Sequence, residues 1–209
     1  MQTLKMKFSY PFAAACKRLE RDALPLPDYD PASLFRWGNM MAMAVIRMLK
    51  AAEREFGAAG QMAMIAELTE VGREMGRMML EGVEVPEGVA PIEFISSYCS
   101  WINREIYASP ELPRIDDATR CSFDILWCPH QDSYRAFDCR VQRYLVQGMI
   151  DACRERFNEA DFQVRVKTTI PAGAPTCLFD VWRKRPGEAD EWEQYSDALA
   201  KKALERSRK

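Results

Sequence analysis

A cysteine and the chain's only histidine lie two residues apart in the run Trp127-Cys128-Pro129-His130. A thiol beside an imidazole is a route to thiolate at neutral pH, because a nearby imidazolium stabilises the anion. Pro129 cannot donate to a strand ladder, so Cys128 should sit where a strand opens into a loop. Asp132 follows two residues later, placed either to orient that imidazole or to cap the next helix. The competing reading makes Cys128 a small buried apolar residue and His130 a loop residue, since free cysteine is among the most buried residue types.

Cys139, Cys153 and Cys177 share the second half of the chain with Cys128. Cys153 falls at the edge of an apolar helical stripe and Cys139 further round, toward solvent. Cys177 opens the last strand, on the face of Phe179 and Val181. A strand-end, a helix and a hairpin cysteine can therefore meet at one end of a sheet, which would group Cys128, Cys153 and Cys177 around one pocket. Such a cluster could also hold zinc, but zinc sites favour paired ligands, and neither CxxC nor HxxxH occurs. No metal is expected. GxGxxG, P-loop and GxSxG motifs are missing too, so the sequence names no cofactor. Trp101, Trp127 and Trp182 read as core or pocket walls rather than as stacking platforms for nucleic acid.

Elements must hold these groups in place. Residues 1–32, broken by Pro11, Pro25, Pro27 and Pro31, read as an arm with a short helix near Phe12 to Arg21. Ser33 can cap a helix running to Phe56, and Gly57 should end it. A second helix follows over 58–81, closed by Gly82. Both helices are rich in methionine, which suits either a soft core or an adaptable apolar ligand wall. Ile92 to Tyr107 reads as a third helix, ended by Pro110 and Pro113.

The period then changes. Arg120 to Cys128 alternates, with Cys121, Phe123, Ile125 and Trp127 on one face, a strand signature. Asp132 can cap a helix over 133–157. Phe162 to Ile170 alternates again, Pro171 to Pro175 is a turn, and Thr176 to Arg183 returns as a strand. The expectation is therefore an α+β fold: a helical first half packed on a small antiparallel sheet with a covering helix, in one domain over residues 33–185. The charged tail, 186–209, reads as a peripheral helix.

The chain has 209 residues, 48% hydrophobic and 29% charged, which suits one sizeable core and a solvated surface. A formal net charge of −2 gives no basic face of the kind that binds nucleic acid. No apolar run is long enough to span a bilayer. Met1 to Tyr10 lacks an apolar core, so no signal peptide is expected. Seven cysteines, an odd number at irregular spacing, suit free thiols in a cytoplasmic protein. Homo-oligomer formation is left open.

The run Thr168-Thr169-Ile170-Pro171-Ala172-Gly173-Ala174-Pro175-Thr176-Cys177-Leu178-Phe179 resembles the closing signature of the L-2-amino-thiazoline-4-carboxylic acid hydrolase family. Cys128-Pro129 is similar to that family's strand-end cysteine, Cys153 to its helix cysteine, and Gly57 with Gly72-Arg73-Glu74-Met75-Gly76 to its helical first half. The likeness covers residues 35–183. It departs at Leu178, where an acidic residue is usual, and at Arg154-Glu155-Arg156, where an Asp is usual. What the resemblance implies is hydrolytic opening of a cyclic amidine by cleavage of a C–N bond. Cys128 would be nucleophile or orienting thiol, His130 or Asp132 would move protons, and Cys153, Cys177, Thr169 and Trp127 would contact the small-molecule substrate. The closing hairpin also resembles small-molecule-binding domains of the vinyl-reductase type, which implies binding of an apolar ligand without turnover. An accessory partner protein is the third reading. Fold alone does not decide among them.

Overall fold

Alternating strands build the sheet on which everything else rests. In a computed structural model, which describes residues 6–207, β3 (Phe162–Thr168) and β4 (Cys177–Arg183) pair antiparallel, with Val164 opposite Val181 and Val166 opposite Phe179. β2 (Arg120–Ile125) lies on the other side of β4, with Phe123 opposite Phe179 and Ile125 opposite Cys177. Phe123, Ile125, Val164, Cys177 and Val181 are buried and Val166 and Phe179 partly so, as a period of two requires of a half-buried sheet. The strand expected to reach Cys128 stops at Ile125, so Trp127 lies outside the ladder.

A fourth strand, β1 (Glu111–Asp117), completes the order β1-β2-β4-β3. No alternating pattern in the sequence announces it. Pro113 and the charges Arg114, Asp116 and Asp117 argue against a central strand, yet they suit an edge, where a missing N–H costs no ladder bond and charge discourages further pairing.

The helices cover the sheet. After the short α1 (Ala13–Asp22) comes α2 (Ala32–Leu80). Gly57 interrupts α2 at φ 61°, a left-handed conformation open to glycine. Its two limbs correspond to the two expected helices, and they bend so sharply that a Cβ on Gly60 would lie 2.6 Å from the Ala52 carbonyl oxygen. Most of the methionines take neither expected role. Met40, Met41, Met43 and Met48 are exposed, because Ile46, Leu49 and Glu53 occupy the inward face of the first limb, and Met62 and Met78 are exposed on the second.

α3 (Pro91–Trp101) continues as a single π turn, Ile102–Ile106. α4 (Arg140–Arg156) lies against the second limb of α2, where glycine is required on both sides. A Cβ on Gly148 would lie 1.9 Å from the Thr69 carbonyl oxygen, and one on Gly72 would lie 1.9 Å from that of Leu145. The helix expected from residue 133 begins at Arg140, after a 3₁₀ turn at Ala136–Cys139. Within that 3₁₀ turn the Asp138 carboxylate accepts the Arg135 backbone N–H at 3.3 Å, and no side chain caps α4 itself, Asp132 included. Ser133 instead bonds the Asn39 side chain at 3.0 Å.

α5 (Glu191–Ser207) completes the described chain; of the expected arm and tail, residues 1–5 and 208–209 lie outside the described residues. It buries Trp192 and Ala203, so this charged segment is part of the packed structure. Among the described residues no helix is long and apolar enough to cross a membrane.

Candidate functional site

Between the inner face of the sheet and helices α4 and α5 lies a cavity of about 210 Å³. Its floor is apolar, formed by Phe123, Val164, Val166, Phe179 and Val181. α4 contributes Arg143, Val146 and Ile150, α5 contributes Trp192, Tyr195 and Leu199, and the π turn after α3 contributes Ile102 and Asn103. One end is thiol-rich, where Cys128, His130, Cys139, Thr169 and Cys177 gather.

These groups come together because each element ends there. β4 begins at Cys177, and the Ile170 N–H donates to its sulfur at 3.2 Å. β2 has just left the sheet at Ile125, so Cys128 and His130 fall in the following turn. Cys139 sits at the start of α4, and Arg143, Val146 and Ile150 follow along the same face at spacings of four, three and four.

The thiols are held protonated. Burial pushes Cys139 up to about 12, and burial likewise raises Cys128 and Cys177 above the usual thiol range. The backbone N–H of His130 opposes this at Cys128, but more weakly than burial. The His130 ring serves other partners. Its Nδ1 lies 3.4 Å from the Asn39 side-chain oxygen, and it stacks on Tyr134 with centroids 4.9 Å apart. Burial lowers its pKa below the ordinary 6.5, so the imidazole is neutral at pH 7.

Of the residues singled out in the sequence, Cys128, His130, Thr169 and Cys177 line this cavity. Asp132 is exposed and does not. Trp127 is turned outward and packs against Phe35, ring centroids 6.0 Å apart. Cys153 is fully buried in the main core beside Tyr98, and burial pushes its thiol up to about 12. The cysteine that α4 brings to the cavity is Cys139, which shares a face with Arg143, Val146 and Ile150, while Cys153, further along the helix, packs in the main core. Sequence reasoning also passed over Arg143, Trp192 and Tyr195. The stripe from Cys139 through Arg143 and Val146 to Ile150 was there to find, but nothing in the sequence tied the charged tail to it.

Arg140 also borders the cavity, and its charge is spoken for. Its guanidinium makes a two-pronged pair with the buried Glu53, at 2.8 and 2.9 Å. Among the described residues no three His, Cys, Asp or Glu side chains come together as metal ligands.

No known protein-family model matches the chain. An uncharacterized protein of Archaeoglobus fulgidus is 46% identical over 202 residues, covering 94% of this chain and 89% of that protein. A solved structure of trafficking protein particle complex subunit 3 from Naegleria fowleri, covalently bound to palmitic acid, aligns at a TM-score of 0.46 and 13% identity. That alignment covers 70% of this chain and 95% of the other.

Proposed function

The chain belongs to the same family as the Archaeoglobus fulgidus protein, and from the form of its cavity we propose that it binds an apolar small molecule without turning it over. The observation that carries this reading is the apolar cavity of about 210 Å³ between the sheet and the covering helices. A cavity of ~150 Å³ lined by apolar side chains is enough to take up benzene in a well-studied case, so a larger one has room for a ligand of substantial apolar surface. Burying that surface would supply the affinity.

Ring opening of a cyclic amidine would ask for a nucleophile, and the thiols offered here are held as neutral S–H by burial. His130 is engaged with Asn39 and Tyr134, and Asp132 lies outside the cavity. Binding without turnover needs none of these groups ionised, so the arrangement favours it over hydrolysis.

Titration with N-phenyl-1-naphthylamine, a neutral apolar fluorophore, tests the reading. Saturable one-to-one uptake is expected in the wild type. It should be lost in Val166→Trp, which fills the cavity from a partly buried strand position. Uptake that does not saturate, or that Val166→Trp leaves unchanged, would remove the cavity as the binding site.

A further inference from the structure

Arg143 is a buried cation with no counter-ion among the described residues. It comes off the cavity side of α4 and is only 7% exposed. Nη2 donates to the Trp192 carbonyl oxygen at 3.0 Å, and Nε donates to the Ser196 hydroxyl at 3.3 Å. The guanidinium lies over the rings of Trp192 and Tyr195, at 3.7 and 4.6 Å from their centroids. Nη1 has no hydrogen-bond partner. Among the described residues no carboxylate is paired with it, in contrast to Arg140 three residues earlier, which holds Glu53.

An arginine in a protein keeps its proton, so this charge cannot be relieved by neutralisation. Burial disfavours the cation enough to push its pKa down to about 10. The ring faces return part of the lost hydration, but less than burying an ion costs. The remaining deficit would be met by an anion seated against the guanidinium from the cavity that the Arg143 side chain lines.

We propose that the ligand is an amphipathic monoanion, a carboxylate with an apolar body, its carboxylate paired with Arg143 and its body laid along the strands. This rests on the binding reading above. One free cation matches one negative charge, whereas a dianionic head such as a phosphate monoester would leave net charge buried. The apolar floor from Cys177 to Val181 spans five residues, roughly 13 Å along the strand, which sets the length of the body.

The test is calorimetric titration of the full chain with decanoate and with 1-decanol, which differ only at the head group. The wild type should bind decanoate about tenfold or more tightly than decanol, the value of one hydrogen bond to a charged group. Arg143→Met should lose that preference and still bind decanol. Equal binding of the two by the wild type would overturn the assignment of the anion while leaving the apolar site in place. So would a preference for decanoate that survives in Arg143→Met. Failure of the wild type to bind either compound would overturn the binding reading itself.

Discussion

Replacing Glu53 by alanine takes away the only carboxylate that Arg140 pairs with among the described residues. Arg140 is 1% exposed and Glu53 is 3% exposed, so water cannot take over the lost contacts. The two guanidinium bonds, at 2.8 and 2.9 Å, would vanish together with the bond from Gln61 Nε2 at 2.8 Å. Gln61 would keep its bond to the Ala200 carbonyl of α5, but its link to the first limb of α2 would be gone. Breaking one partner of a buried pair costs about 3–5 kcal/mol, mostly the penalty of a stranded charge. For a chain of this size that corresponds to a fall in Tm of about 6–20 °C, at 2–4 °C per kcal/mol. Urea denaturation gives the free energy and scanning calorimetry the Tm. Glu191→Ala serves as control. Its pair with Arg165 is exposed on both sides, and such pairs are worth at most about 1 kcal/mol. The double variant Glu53→Met with Arg140→Met should be more stable than Glu53→Ala, since it removes both charges. A loss below about 1 kcal/mol in Glu53→Ala would refute the reasoning, because no buried charge could then have been stranded.

Gly148→Ala should cost more than about 2 kcal/mol, toward the upper end of over-packing, because the new Cβ meets the Thr69 backbone rather than a movable side chain. An unchanged urea midpoint would show that α2 and α4 can separate there without cost. Iodoacetamide at pH 7 should label the exposed Cys16 before Cys128, Cys139 or Cys177, whose thiols are raised by burial. Peptide mapping that finds Cys128 labelled first would restore it as a nucleophile. His130 has a folded pKa below its unfolded value of 6.5, so the unfolded chain takes up the proton more readily. Its contribution to stability is therefore whole above about 6.5 and is lost as pH falls through the folded value. Between pH 7.5 and 5 the wild type should lose more Tm than His130→Gln, and equal losses would mean that this imidazole titrates as it does in the unfolded chain.

The sequence was most legible where one local pattern decides the outcome. Phe162, Val164 and Val166 against Cys177, Phe179 and Val181 announce the hairpin, since the period of two and the intervening turn suffice. β1 was hidden because an edge strand tolerates Pro113 and surface charge, and those features look like the end of a helix. α4 packs one face on α2 and turns another to the sheet. Cys139 lines the cavity and Cys153 packs in the main core, and periodicity alone does not say which residue meets which neighbour. Cys177, at the start of β4, and Cys128, in the turn after β2, both line the cavity. The Arg143 environment could not be read at all. It depends on Trp192 and Tyr195 coming back from a charged segment roughly fifty positions further along the chain, and no local pattern encodes that return.

Crystals soaked with 10-bromodecan-1-ol show where an apolar ligand sits, because bromine marks its own position by anomalous scattering and the probe carries no charge. The account predicts one dominant bromine peak inside the cavity, within contact distance of the strand residues Val164 and Phe179 or of Ile150 on α4. Peaks found only over the exposed methionines of α2, with the cavity unmarked, would contradict it.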